Sequence, residues 1–402
     1  MERQHRTVVV LAGCQAALQT VTTTVMAVTG LAGFALASDK SLATLPITCF
    51  VLGSAIMTVP ASLLMGATGR RAGFQLGGGV GAIGAALCAY AMYLASFWLL
   101  CAGMIVLGMH AAFGSYYRFA AADSVKMDFR AKAIALTLAG GIVGGFLGPD
   151  LASGTATLFS GHAYLGTYLV LAVVCLGAVL GLSCLKIPRV APQDRGQSTR
   201  PLRRIVKQPV FIVAALAMML SYGVMNLMMT STPLAMHAHE HQFHDTAFVL
   251  QWHMIAMFAP SFFTGAFIQR FGVLNVIMSG AALLLACISV AIGGMGLGNF
   301  WVSLALLGAG WNFMYIGGSA LLGECHTPLE RAKAEAAASF MVFATMTVSS
   351  ASSGLLLHRS GWEAISYGSI PFVLLAMAAT AWLMWQRRAE QQATPLVQSN
   401  RA

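Results

Sequence analysis

Charge is what this chain has least of. Only 9% of its 402 residues are Asp, Glu, Lys or Arg, and just 13 are acidic. Soluble proteins carry about 25% charged residues, so a water-exposed globular surface is excluded. Cysteine is sparse where it would matter for a secreted scaffold. Cys14, Cys49, Cys88, Cys101, Cys175, Cys184, Cys287 and Cys325 avoid every loop read as outward, so no disulfide framework is implied. No nucleotide-binding loop interrupts the chain, which argues against a pump driven directly by ATP. The first apolar run is long and lacks a small-residue cleavage site, so it reads as a span and not as a removable signal peptide.

What fills the chain is apolar. Hydrophobic residues make up 58% of it and the mean hydropathy is +0.75. Apolar runs of about 20 residues, the length that crosses a bilayer as a helix, recur from end to end. Spans are expected near 8–37, 42–65, 74–94, 98–119, 132–156, 163–185, 208–235, 246–268, 272–293, 298–322, 333–357 and 363–385. The expected fold is an all-α membrane protein with twelve transmembrane helices. With the N-terminus inside, 21 of the 23 Lys and Arg fall on the cytoplasmic side, leaving only Lys40 and Arg359 outside. This is a strong positive-inside pattern. It assigns the net charge of +10 to loops facing anionic membrane lipid, with no nucleic-acid partner.

The chain divides into a six-helix bundle at 1–186, a basic linker at 187–207, and a second six-helix bundle with a tail at 208–402. A weak internal repeat supports the division. Pro60-Ala61-Ser62-Leu63-Leu64-Met65-Gly66, followed by Arg71-Ala72-Gly73, is echoed by Pro260-Ser261-Phe262-Phe263-Thr264-Gly265 and Arg270-Phe271-Gly272. Repeated halves with a site between them describe a secondary transporter. Glycines such as Gly77, Gly140 and Gly144 suit close helix packing, and Pro149 is expected to kink the fifth span.

Two spaced pairs suggest a cargo. Met225 and Met229 lie four residues apart in the seventh span, as do His253 and Met257 in the eighth. Four residues make one helical turn, so each pair shares a face. The midpoint of 229 and 253, like that of 225 and 257, is position 241, near the middle of the polar connection. The pairs should therefore match in depth and form two rungs if the helices face each other. Thioether and imidazole donors suit a soft metal such as copper. The connection carries His237, His239, His241 and His244, a composition suited to metal recruitment. The competing readings are packing methionines, of which this chain has many, and an ordinary polar loop.

The layout resembles the major facilitator superfamily over its whole length. Gly66-Ala67-Thr68-Gly69-Arg70-Arg71-Ala72-Gly73 resembles that superfamily's signature loop, with its usual aspartate absent. The Met225–Met229 and His253–Met257 pairs are similar to those of its CcoA-type copper importers, as are Gln251 to Gly265 and Tyr116 to Asp123. That resemblance implies copper as transported substrate, held by Met225, Met229, His253 and Met257, with no cofactor. It also implies a bacterial inner-membrane location with both termini cytoplasmic, and delivery to cytoplasmic copper carriers of cbb-type cytochrome oxidase assembly. A related group imports riboflavin.

Other residues leave alternatives open. Asp150 suits proton coupling or a cap beside Pro149, and His110 suits helix packing or a cavity. Arg118 is expected to be tied to a carboxylate such as Asp123 or to a carbonyl. Cys325 beside His326 is a further candidate for metal at the inner exit. Copper import by a monomer, without covalent chemistry and so without enzymatic activity, is the leading expectation. The alternative is an importer of a small organic solute such as riboflavin, using Trp252, Trp311, Tyr116 and the amides of Gln15, Asn226, Gln251 and Asn312. A metal-sensing membrane protein is the third reading.

Overall fold

The computed structural model describes residues 2–125, 130–183, 185, 200–327 and 330–399. Regular structure among them is helical, apart from turns. The helices are α1 (Glu2–Leu36), α2 (Leu45–Thr68), α3 (Arg70–Tyr93), α4 (Phe97–Gly114), α5 (Tyr117–Asp123), α6 (Arg130–Thr155) and α7 (Leu165–Ser183). They continue as α8 (Leu202–Val206), α9 (Pro209–Ala238), α10 (Phe243–Phe258), α11 (Ser261–Phe271), α12 (Val273–Ile292), α13 (Leu297–Leu322) and α14 (Arg331–Ser399). Among the described residues nine stretches are long and apolar enough to cross a membrane, or ten if the bent pair α10–α11 is one span. Twelve is reached by also counting the 26-residue α6 and dividing α14 at Gly361, whose φ of 76° interrupts the helix.

Two of the mid-span prolines, Pro149 and Pro260, behave differently. α6 runs through Pro149, where a kink was expected. The eighth span instead breaks by 40° between α10 and α11, at Ala259 and Pro260. Proline removes an amide donor and crowds the preceding turn, so the break needs outside hydrogen bonds. Asn312 of α13 supplies them. Its Nδ2 donates to Met257 O (2.6 Å) and Ser261 Oγ (2.7 Å), and its Oδ1 accepts from Thr264 Oγ1 (2.7 Å). Asn312 therefore stabilises the break instead of lining a cavity.

In the first bundle α1 packs on α6, α4 on α2 and α3, and α3 on α7; in the second α13 packs on α9, α10 and α12, and α14 on α9. The bundles meet through α6 with α10, α2 with α14, and α1 with α9. Small residues set the closest approaches. A Cβ on Gly53 would run into the carbonyl of Ile105, and one on Gly108 into that of Phe50, so α2 and α4 touch backbone to backbone. Ser54 Oγ donates to Gly108 O (2.8 Å) across the same seam.

Charges gather at the face bearing the termini. Arg70, in the loop that lacks its usual aspartate, pairs with Asp123 at the end of α5 (2.6 Å). The chain entering α8 is strapped to the second bundle. The carboxylate of Glu330 accepts from Arg200 Nε (2.7 Å), Nη2 (2.6 Å) and backbone N (3.0 Å), and from Thr327 N (3.1 Å). Arg200 first, and these amides after it, hold the Glu330 carboxyl far below the usual carboxylate range. A depressed carboxylate contributes stability above its unfolded pKa and loses it only as pH falls through the folded value. The strap should accordingly persist at pH 5 as at pH 7. Glu330→Gln is expected to release it at both, seen as faster tryptic cleavage after Arg203, Arg204 and Lys207.

Candidate functional site

Aromatic side chains from three helices converge near the middle of the second bundle. Trp311 and Tyr315, one turn apart on α13, stack with centroids 5.0 Å apart and planes within 10°. Tyr222 of α9 stands edge-on to both, at 5.2 Å from Trp311 (86°) and 5.2 Å from Tyr315 (78°). Phe258, the last residue of α10, meets Trp311 at 6.5 Å and 74°. The break after Phe258 is what lets this ring turn towards α13.

Tyr222 and Tyr315 keep partial exposure although protein surrounds them deep in the bundle. Both facts hold for side chains that line an internal space. Trp311 is buried, and its Nε1 has no hydrogen-bond partner. A buried indole N–H usually finds one, so this donor is available to a guest. Arg118 of α5, from the other bundle, brings its charge within electrostatic reach of the Tyr222 and Tyr315 hydroxyls. Asp123 pairs with Arg70. The set offers flat faces with phenol and indole hydrogen bonds. It suits binding of a flat, polar-edged ring.

The paired sulfur and imidazole residues sit on two helices that share a third as neighbour. α9 and α10 scarcely touch each other, and α13 packs against both. A Cβ on Gly308 of α13 would lie 2.7 Å from His253 O and 2.9 Å from Met257 N, so α13 rests directly on α10. Met225 and Met229 are buried and continue the Tyr222 stripe of α9 by helical spacing. Met257 is buried on α10. His253 is fully buried, with Nδ1 2.7 Å from Leu304 O and Nε2 without a partner. The sequence spacing found two buried faces, but not the helix between them.

The loop histidines diverge. His237 lies edge-on to Phe34 (6.3 Å), His241 Nε2 is 2.8 Å from Met295 O, and His239 and His244 are exposed. Among the described residues no group of three or more His, Cys, Asp or Glu could hold a metal ion. Cys325 Sγ turns to Leu322 O and His326 to Thr327 O, while Cys184 lies outside the described residues. His110 is a packing residue: its Nδ1 is 3.0 Å from Gly77 O, and Gly81 leaves room for its ring between α3 and α4. Asp150 is exposed, on a stripe of α6 with Val143, Phe146 and Leu147.

The organic-solute candidates also sort themselves. Trp252 is 40% exposed and clusters with Phe248 and Trp301 on the outside of the bundle, away from Trp311. Tyr116 donates to Thr58 O (3.1 Å). Asn226 bonds α14 through Met346 O and Ser349 Oγ, and Gln251 donates across the bundles to Phe146 O (3.1 Å). Gln15 is half-buried and faces Gly141. Tyr222, Tyr315 and Phe258 were missed in the sequence, although Trp311 and Tyr315 have the same four-residue spacing as the methionine pair.

Comparison with known proteins agrees with this architecture. The Major Facilitator Superfamily model matches residues 9–250 and 214–401. The riboflavin transporter RfnT of Brucella anthropi is 39% identical over 93% of this chain and 94% of its own length. The uncharacterized MFS-type transporter YdeG of Bacillus subtilis is 30% identical over 85% of this chain and 83% of its own. A solved nucleoside transporter, NupG, superposes with a TM-score of 0.78 at 14% identity, covering 93% of this chain and 99% of that one.

Proposed function

Since the chain belongs to the major facilitator superfamily, whose transporters are not enzymes, we propose that its cargo is a flat heteroaromatic solute of the riboflavin type. The observation that carries this is the Tyr222–Trp311–Tyr315 cluster, with its unengaged indole N–H. Stacking supplies affinity for any flat ring, and the fixed donors select one with carbonyl acceptors on its edge. The curated riboflavin-transporting relative supports the same reading. Cytoplasmic placement of both termini is inferred from the distribution of Lys and Arg, and import is the direction that the family resemblance implies. The test is a fluorescence titration of the purified protein with riboflavin. Saturable quenching of the flavin, absent for Trp311→Leu, is expected. No quenching by folded protein would reject the reading.

One observation favours the copper reading as a second. If His253 donates from Nδ1 to Leu304 O, the neutral ring presents a free lone pair at Nε2. That is the way ligand histidines are oriented in metal sites. Met257, Met225 and Met229 would be its soft companions, and oxidase-assembly carriers its recipients. This reading requires cuprous ion to bind the protein and His253→Ala to abolish that binding.

A further inference from the structure

Asp150 stands where a carboxylate is costly. It lies within α6, five residues before the helix ends, on the exposed stripe that holds Val143 and Leu147. The covered sides of α6 are elsewhere. Gly144 and Gly148 abut α1, and a Cβ on Gly145 would lie 3.0 Å from Met254 Cβ of α10. The stripe therefore looks out on lipid. Hydrocarbon solvates an anion poorly, so carboxylates within a membrane usually have a partner. Among the described residues the Asp150 side chain makes no ion pair and no hydrogen bond. Aromatic rings stand beside it on the neighbouring helices. Gln251 of α10 donates to Phe146 O of α6 (3.1 Å), which sets the register of the two helices. Asp150 is four residues outward from Phe146, and Phe248 is three residues outward from Gln251, so the two lie at one level. Phe248 meets Trp301 of α13 with ring centroids 6.1 Å apart. α13 covers the inner side of α10 at Gly308, and by helical spacing Phe248 and Trp301 open to the same side as Asp150. Asp150, Phe248 and Trp301 are each four or five residues from the outer end of their helix, about 6–8 Å.

We propose that Asp150, Phe248 and Trp301 form a binding site for one outer-leaflet phospholipid whose headgroup carries a primary ammonium, of the phosphatidylethanolamine type. Aromatic rings at headgroup depth are ordinary in membrane proteins. A carboxylate among them is not, and it gives the site a sign. An ammonium meets the carboxylate through charge-assisted hydrogen bonds, and the ring faces attract the same cation. An anionic headgroup is repelled by Asp150. Val143 and Leu147 continue the stripe from Asp150 towards the membrane middle, where they offer an apolar track to an acyl chain. The lipid thereby supplies the partner that the protein does not. The proposal concerns lipid binding and is independent of which cargo is carried.

The test is native mass spectrometry of the full chain, purified in detergent and titrated with phosphatidylethanolamine or phosphatidylglycerol of identical acyl chains. Asp150→Asn keeps the shape of the side chain and removes the charge. It should weaken binding of the first phosphatidylethanolamine by about five- to tenfold, between the effect of an exposed ion pair and that of a charge-assisted hydrogen bond. It should not weaken phosphatidylglycerol. Asp150→Lys should turn the preference towards phosphatidylglycerol. Trp301→Leu keeps the carboxylate and should weaken phosphatidylethanolamine by about two- to fivefold. Equal phosphatidylethanolamine affinity in the wild type and Asp150→Asn would overturn the proposal. So would a change of oligomeric mass in Asp150→Asn without a change in lipid binding, which would assign the stripe to a second copy of the chain. If the asparagine variant does not fold, Trp301→Leu decides alone, and unchanged affinity there overturns the proposal.

Discussion

Replacing Trp311 with leucine is expected to reduce riboflavin uptake by about five- to 150-fold, the range set by losing one stacking face of about 1–3 kcal/mol. Leucine keeps most of the apolar volume but has neither a flat face nor an N–H. Trp311 supplies both in one side chain: it stacks on Tyr315 at 5.0 Å, and its buried Nε1 has no partner within the protein. Tyr222→Phe keeps the ring and loses only the hydroxyl, so a smaller loss is expected there. Trp252→Leu is the control, because Trp252 sits with Phe248 and Trp301 on the outside of the bundle. Initial rates at several riboflavin concentrations, normalised to protein in the membrane, make the comparison. Equal losses for Trp252→Leu and Trp311→Leu would mean that aromatic content is needed only for folding.

The largest expected effect on stability is at the α2–α4 seam. Gly53→Ala and Gly108→Ala each place a methyl against a backbone carbonyl, of Ile105 and Phe50 respectively. A carbonyl in a helix cannot rotate aside as a side chain can, so the helices must separate. Separation would weaken the Ser54 Oγ to Gly108 O bond of 2.8 Å. Overpacking of this kind costs about 3 kcal/mol per site. Thermal unfolding in detergent should show a clear drop for either variant. Gly79→Ala and Gly177→Ala are the controls, because a Cβ there meets nothing within 4 Å. Neither should lose stability.

Much of the fold was legible in the sequence because the membrane limits the choices. A run of about 20 apolar residues has to be a helix, since lipid offers its backbone no partners. The seventh span, expected at 208–235, is α9 at Pro209–Ala238, and the tenth, expected at 298–322, is α13 at Leu297–Leu322. Punctuation by proline was less legible. Pro149 and Pro260 look alike in sequence, yet only the second breaks a span, and the difference is Asn312 on another helix. Local sequence cannot say whether a distant side chain will take over a lost hydrogen bond.

The candidate site was legible only in part, for a related reason. Helical spacing established that Met225 with Met229, and His253 with Met257, share faces of their helices. It could not establish what each face meets. Consecutive spans are neighbours along the chain, but α13 packs against both α9 and α10. Asp150 shows the converse case. Its apolar run left open proton coupling or a cap beside Pro149, and could not say that it would sit on an outer stripe of α6. The aromatic cluster depends on Trp311, Tyr315 and Tyr222 meeting across two helices and on the break beside Phe258, and only the Trp311–Tyr315 spacing can be read locally.

The most direct test of a flat heteroaromatic cargo is uptake of radiolabelled riboflavin by vesicles containing the purified protein, with radiolabelled copper measured in parallel. Saturable accumulation of riboflavin that is lost in Trp311→Leu and retained in His253→Ala is the predicted result. Accumulation of copper but not riboflavin, abolished by His253→Ala, would contradict it.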